Sequence, residues 1–199
     1  MATMIDQSWT WVQKPVNPLE AVELAGRTCY KSENKITSGS AERFAQAIVS
    51  RGHESVLEHV SASVRFVTNR GVTHELVRHR HCAFSQESTR YVRYGAEDME
   101  FIVPVWWDSW APEQRNAFFR SCEEAERTYA HLLSSGASPQ QAREVLPNAL
   151  KTEIVVTANL REWRHIFRLR CAKAAHPQIR DLMTWCRKGF QAEIPVIFS

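Results

Sequence analysis

Apolar and polar residues alternate in the stretch VSASVRFVT at positions 60–68. Because successive side chains of a strand point to opposite faces, this pattern predicts a strand with one apolar face. The stretch from Lys151 to Leu160 repeats the alternation. We predict that both are strands of one central sheet, covered by helices from the segments around them. The expected fold is α/β (α+β), a single domain over residues 1–199 with a central sheet flanked by helices.

Helix signals occur on both sides of each predicted strand. Asn17 is expected to cap the first helix, ahead of Pro18, and Ser40 to cap the second. The clearest amphipathic pattern repeats apolar residues three or four positions apart from Phe118 to Leu132. The predicted helices cover residues 18–29, 40–52, 71–77, 118–136, 138–146, 161–173 and 176–192.

The composition is that of a globular protein with reduced cysteines. Of the 199 residues, 44% are hydrophobic, enough for the core of one domain. Lys and Arg number 25 and Asp and Glu 22, so the net charge of +3 gives little support to a nucleic-acid partner or a membrane surface. The five cysteines form no CxxC pair, and no apolar run has the length of a signal peptide or a membrane span. We expect a soluble protein of the cytoplasm.

Cationic, hydroxyl, amide and carboxylate side chains are concentrated between Arg78 and Tyr91. Two guanidinium groups flank the imidazole of His79, and their mutual repulsion favours a nearby anion. One interpretation is a solvated basic turn with ion pairs to Glu75 and Glu87. The interpretation that we favour is a ligand site, because charge is concentrated there against an apolar scaffold.

As a ligand site, this stretch is suited to a nucleotide. Arginine makes paired bonds to phosphate oxygens, so Arg78 and Arg80 would neutralise phosphate. Gln86 would read a base edge, while Ser88 and Arg90 would hold a second phosphate or a carbonyl group. Attack by Ser88, with a neighbouring histidine at position 79 or 81 as base, is the alternative, but no Gly-x-Ser-x-Gly turn surrounds the serine. Binding is therefore favoured over nucleophilic catalysis.

Two further arginines lie outside this stretch. Arg170 falls within the apolar face of the helix predicted over residues 161–173, either as a side chain that reaches solvent or as a buried anion ligand. Arg143 is an ordinary exposed arginine when considered alone. Together they could supply the other half of a phosphate clamp.

Neither a metal nor a dinucleotide-binding loop is indicated. The histidine groups that invite a metal hypothesis lack the spacing of known metal motifs: His53 with His59, and His74 with His79 and His81. No Gly-x-Gly-x-x-Gly and no Walker A loop occurs, so a nucleotide cofactor would not bind by the Rossmann device.

The triplet Arg78-His79-Arg80, followed after seven residues by Ser88-Thr89-Arg90-Tyr91, resembles the signature of the flavin-dependent thymidylate synthases, the ThyX family. Three more segments agree with that family in order and spacing: 53–59, 142–147 and 159–170. The resemblance covers most of the chain.

The resemblance implies an enzyme that methylates dUMP reductively to dTMP without a nucleophilic attack by a side chain on the base. It implies tightly bound FAD, with NADPH and methylenetetrahydrofolate as co-substrates, and a homotetramer whose active sites are shared between subunits. The alternative is a nucleotide-binding or nucleic-acid-binding protein without catalytic turnover.

Residue roles follow from the same resemblance. The expected cofactor-binding residues are His53, Arg78, His79, Arg80, His81, Asn159, Arg161 and His165. The expected substrate-binding residues are Glu75, Gln86, Glu87, Ser88, Arg90, Arg143 and Arg170. The expected catalytic residues are Arg170, which would polarise the pyrimidine, Ser88 and His53. The chain departs from the usual family pattern at Cys29, Ala83, Gln86, Ala174, His176 and Gln178.

Overall fold

The computed structural model of the protein describes residues 2–95 and 99–199. Its contacts divide the chain into two compact units. The first unit consists of the described residues up to Trp9, Arg65–Arg78 and the described part of Phe84–Val155. The second consists of Thr10–Val64, His79–Ala83 and Val156–Ser199. The single domain expected from the sequence stays a prediction.

Six strands form two sheets within the described residues. The strands are β1 (Thr3–Ile5), β2 (Ser8–Gln13), β3 (Ser61–Asn69), β4 (Ala83–Gln86), β5 (Glu100–Ile102) and β6 (Lys151–Asn159). Four of them form one sheet in the order β2-β3-β6-β4, while β1 and β5 pair in parallel, with Met4 opposite Phe101. The two strands predicted from alternation are confirmed as β3 and β6. In β6 every second residue, from Thr152 to Ala158, is buried.

Eight α-helices occur in the described residues: α1 (Pro18–Thr28), α2 (Ser40–Ser50), α3 (Arg70–Leu76), α4 (Pro112–Ser134), α5 (Pro139–Ala142), α6 (Leu160–Arg170), α7 (Pro177–Glu193) and α8 (Pro195–Phe198). Short 3-10 turns lie at Glu33–Lys35, Glu54–His59 and Arg143–Val145. All seven predicted helical segments therefore contain a helix. Among the described residues, none of the helices combines the length and apolar composition that a membrane crossing requires.

The helix caps predicted at Asn17 and Ser40 are wrong. Asn17 has a left-handed backbone, with φ 45°, and makes no side-chain capping bond. A capping side chain reaches the helix from an extended backbone, so this conformation removes it from the first turn. Gly39 is the capping position of α2, and Ser40 is already helical. The buried Ser40 hydroxyl instead donates to Oε2 of Glu23 at 2.7 Å.

Two asparagines cap helices for which the sequence patterns predicted no capping residue. Oδ1 of Asn69 accepts from the backbone N–H of Val72 at the start of α3, at 2.9 Å. Oδ1 of Asn159 accepts from the backbone N–H of Glu162 at the start of α6, also at 2.9 Å. Each asparagine ends a sheet strand and begins the next helix. The two asparagines thus fix the first residues of α3 and α6. The triplet at 78–80 follows the end of α3, and α6 carries arginines of the candidate site.

Each unit has its own core. In the first unit the buried cluster consists of Ala2, Met99, Phe101, Cys122, Tyr129, Ala142 and Leu150. In the second unit, the ring of Phe190 on α7 lies 5.0 Å from the ring of Trp163 on α6 and 4.9 Å from that of Phe198 on α8. His176, one of the departures from the family pattern, caps α7 by accepting from the Gln178 N–H at 3.3 Å.

Candidate active site

Arg170 is held by a buried histidine. Nε of Arg170, in the last turn of α6, donates to Nε2 of His79 at 3.0 Å. Nδ1 of the same imidazole lies 3.4 Å from Oε1 of Glu162, in the first turn of α6. The ring of His165 meets the ring of His79 edge-on, with centroids 5.8 Å apart. The helix thus brings an acid, an imidazole and an arginine to one histidine of the triplet at 78–80.

The environment of His79 keeps it neutral. His79 is 5% exposed, whereas Arg78 and Arg80 on either side of it are exposed. Burial, and after it the charges of Arg170 and His165, together lower the pKa of His79 from 6.5 to about 4. A neutral imidazole can accept the hydrogen bond of an arginine, which a protonated imidazole cannot.

A cavity of about 780 Å³ lies in the second unit, beside α6. Its polar lining includes arginines 161, 164, 168 and 187, histidines 81 and 165, and glutamates 54, 58 and 162. Arg161 pairs with Glu58, and Nε of Arg164 lies 3.1 Å from Oε1 of Glu54. Nη2 of Arg168 lies 2.9 Å from Nδ1 of His165. Such a concentration of cationic donors suits an anionic ligand of cofactor size.

The residues expected to bind a cofactor are only partly brought together at this cavity. His81, Asn159, Arg161 and His165 line it. The lining does not include His53, which is exposed at the start of the 3-10 turn Glu54–His59. Arg80 is exposed in the second unit, whereas Arg78 belongs to the first unit.

The residues expected to bind substrate lie in the first unit, apart from Arg170. Ser88 Oγ accepts from the backbone N–H of Arg90 at 3.3 Å, and the Arg90 guanidinium lies 5.4 Å from the ring centre of Tyr91. Arg143 begins a 3-10 turn, with Nε 3.5 Å from Oε1 of Glu144. These groups offer hydroxyl and cationic donors to a ligand.

Glu87 is committed to internal contacts. Its Oε1 accepts from the Tyr94 hydroxyl at 2.6 Å, and its Oε2 lies 3.6 Å from Nζ of Lys151. Burial and this hydrogen bond raise the pKa of Tyr94, so the hydroxyl stays protonated and continues to donate. The contacts favour a supporting role for Glu87 beside Gln86 and Ser88. Its expected contact with substrate stays a prediction.

Two side chains of the stretch at 78–91, His79 and Cys82, are poorly suited to nucleophilic catalysis. His79 cannot serve Ser88 as a base, because its Nε2 already accepts from Arg170 and its Nδ1 faces Glu162. Burial, with a smaller effect of the Glu162 carboxylate, raises the pKa of the Cys82 thiol to about 12. A thiol is nucleophilic only as the thiolate. The preference for binding over attack at Ser88 stays a prediction.

Of the three residues that the structure groups as possible metal ligands, only His79 was weighed from the sequence. Ligand atoms of His79, Glu162 and His165 lie within 4.8 Å of one another, and this is the one such group among the described residues. Glu162 and His165 were not considered as ligands, although their spacing of three places them on one side of a helix. A second cation there would face the guanidinium of Arg170, bonded to His79. Like-charge repulsion therefore disfavours a metal at this position.

The fold is of mixed helix and sheet structure, and its described side chains concentrate arginines and histidines around the cavity beside α6. The sequence pattern of the family described as "Thymidylate synthase complementing protein" matches residues 11–196. The chain belongs to this family.

Curated relatives carry the name "Flavin-dependent thymidylate synthase". The protein of Geobacter sulfurreducens is 37% identical over 195 residues, which cover 94% of this chain and 83% of that protein. The protein of Corynebacterium glutamicum is 36% identical over 197 residues, covering 89% of this chain and 77% of the relative. The protein of Mycobacterium tuberculosis is 37% identical with the same coverage. The resemblance drawn from the signature at 78–91 is confirmed.

Solved structures confirm the fold class. The UMP/dUMP methylase PolB from Streptomyces cacaoi bound with 5-Br dUMP superposes with a TM-score of 0.84 at 24% identity, covering 98% of this chain and 95% of that chain. The same methylase bound with 5-Br UMP gives a TM-score of 0.82 at 22% identity, with 99% and 94% covered.

Proposed function

We propose that this protein is a flavin-dependent thymidylate synthase, which converts dUMP to dTMP with methylenetetrahydrofolate as carbon donor and NADPH as reductant through FAD. The observation that carries the proposal is the hydrogen bond from Nε of Arg170 to Nε2 of His79, at 3.0 Å. It joins the Arg-His-Arg triplet to the arginine expected to polarise the pyrimidine. The names of the relatives, and of the PolB methylase bound with 5-Br dUMP, support this substrate.

The cavity beside α6 is suited to the cofactor. The diphosphate of FAD is an anion, and Arg161, Arg168, His81 and His165 supply donors around the space. When bound, flavin would supply the redox chemistry that no side chain of the chain provides. Asn159 would contribute through its amide nitrogen, because its Oδ1 already caps α6.

The nucleotide would be bound by charge and by hydrogen bonds. Arg90 and Arg143 would neutralise the phosphate, since a guanidinium forms paired bonds to phosphate oxygens. Ser88 and Gln86 would bond the sugar or the base. Arg170 would direct its cation at the pyrimidine oxygens, where charge develops as the ring becomes nucleophilic. His53 would act where folate or NADPH enters.

The assembly belongs to the same proposal. We propose a homotetramer in the cytoplasm, with active sites completed by residues of neighbouring subunits. The rival function, nucleotide or nucleic-acid binding without turnover, would use the same arginines for phosphates. The net charge of +3 provides no extensive basic surface for a polyanion.

The test is spectroscopic and chemical. The purified protein should be yellow, and its flavin absorbance should bleach when NADPH and dUMP are added without oxygen. Adding methylenetetrahydrofolate should then yield dTMP, and leaving it out should yield none. A colourless protein that neither takes up FAD nor forms dTMP would rule out the enzyme.

A further inference from the structure

We infer that Glu162 is a positioning residue that orients Arg170 through the imidazole of His79. The inference rests on the proposed function, in which Arg170 contacts dUMP. Glu162 was not among the residues expected from the sequence to act in the site. Its role follows from the direction of two contacts on opposite sides of one ring.

The first contact fixes the proton on His79. An arginine Nε always carries hydrogen and cannot accept, so at 3.0 Å the Nε2 of His79 must be the acceptor. An accepting Nε2 has no proton. The neutral imidazole therefore carries its single proton on Nδ1.

The second contact explains why that tautomer is retained. Nδ1 of His79 lies 3.4 Å from Oε1 of Glu162, and a carboxylate offers only acceptors. His79 and Glu162 are 5% and 9% exposed. Removing this carboxylate would therefore take from a buried Nδ1–H the acceptor that the described contacts give it. Which ring nitrogen is protonated is set by the partner of the other nitrogen.

The position of Glu162 is itself fixed. Its backbone N–H is capped by Asn159 at 2.9 Å, which holds the first turn of α6 in register with the end of β6. After burial, the Glu162 carboxylate is the second cause that raises the pKa of the Cys82 thiol, two residues beyond the triplet at 78–80. His165, the other titratable group facing His79, has its Nδ1 2.9 Å from Arg168.

As a consequence, the orientation of the Arg170 guanidinium plane is set before substrate binds. With Nε bonded to His79, rotation of the Arg170 head group is restricted before substrate arrives, so less side-chain entropy is lost on binding. Glu162 thus acts on the substrate without touching it. A carboxylate, or an amide that turns its oxygen to Nδ1, should satisfy this role, whereas an alanine should not.

The test compares Glu162→Ala with Glu162→Gln in the FAD-loaded protein, and uses Glu193→Ala as control. Glu193 is also a glutamate of the second unit paired with a cation, Lys14 at 2.6 Å. Ring ¹⁵N shifts of His79, assigned with His79→Gln, should show the Nδ1–H tautomer in the wild type, Glu162→Gln and Glu193→Ala. In Glu162→Ala this tautomer should lose population, and the Kd for dUMP should rise about ten-fold.

A second comparison separates positioning from a general weakening of the fold. If Glu162 acts through His79, then adding Glu162→Ala to His79→Gln should weaken dUMP binding no further than His79→Gln alone. An unchanged His79 tautomer in Glu162→Ala, or the same ten-fold loss in both backgrounds, overturns the inference. If the wild type neither binds nor methylates dUMP, the proposed function fails. The inference about Glu162 is then decided by the His79 tautomer alone.

Discussion

The side-chain nitrogen of Gln86 donates to Oγ1 of Thr73 at 3.0 Å. Thr73 uses its own proton on the carbonyl oxygen of Arg70, also at 3.0 Å, so the Gln86 atom that faces it must be the amide nitrogen. The same nitrogen lies 3.3 Å from Oγ1 of Thr152. With both N–H groups engaged, the carbonyl oxygen is the atom of the Gln86 amide that would make the proposed contact with dUMP. At this position the glutamine would therefore act toward dUMP as a hydrogen-bond acceptor.

Thr73→Val should weaken the binding of dUMP without releasing FAD. The substitution removes the hydroxyl that orients the Gln86 amide, and loss of one such hydrogen bond costs about 1 kcal/mol, or roughly five-fold in KM for dUMP. Steady-state kinetics and flavin absorbance measure the two effects. Thr128→Val is the control, because this threonine of α4 bonds only the neighbouring Glu124 in the described contacts. Equal KM values in both variants would contradict the role given to Thr73.

Arg170→Ala should retain FAD but lose dTMP formation. Truncation removes a charge-assisted contact worth about 1.5–3 kcal/mol, so dUMP should bind about 10- to 100-fold more weakly. Arg170→Lys keeps the charge but not the planar Nε–H that bonds His79, so it should not restore turnover. Arg127→Ala, which breaks an exposed ion pair on α4, provides the matched control. Unchanged dTMP formation in Arg170→Ala would refute the assignment.

Stability should fall as the pH is lowered from 6.5 to 4. His79 has a pKa lowered to about 4 in the folded protein, against 6.5 when unfolded, so the unfolded chain binds the proton first. The stabilisation is complete above pH 6.5 and is lost as the pH falls through this window, by up to about 3 kcal/mol. Urea unfolding of the wild type and of His79→Gln at several pH values measures the difference. Parallel pH curves would contradict the prediction.

Trp163→Phe should destabilise the second unit. Trp163 is fully buried, and its Nε1 donates to the carbonyl oxygen of Ala62 at 3.1 Å. Losing this bond and part of the ring volume should lower the free energy of unfolding by about 1–3 kcal/mol. The control is Trp185→Phe on α7, where the side chain is 49% exposed and the change should stay within about 0.5 kcal/mol. Denaturant unfolding of both variants measures the two effects.

Helices and strands could be predicted from the sequence where buried residues recur with the period of a helix or of a strand. Alternation predicted β3 and β6, and apolar steps of three and four predicted α4, because each pattern reflects which face meets the core. The strands β1 and β2 were not predicted. Strand β1 pairs Met4 with Phe101, a partner far along the chain. A repeat of apolar residues within one segment cannot predict such a partner.

The sequence by itself determined the fold class, the family and the triplet at 78–80, since the family signature is a local arrangement of charges. Only the tertiary structure decided that His79 is buried while Arg78 and Arg80 are exposed. It also decided that Asn159 caps α6 and that Glu162 faces His79. The physical reason is that a proton position depends on the partner at each ring nitrogen. Those partners, Glu162 and Arg170, reach His79 only after β6 and α6 have folded.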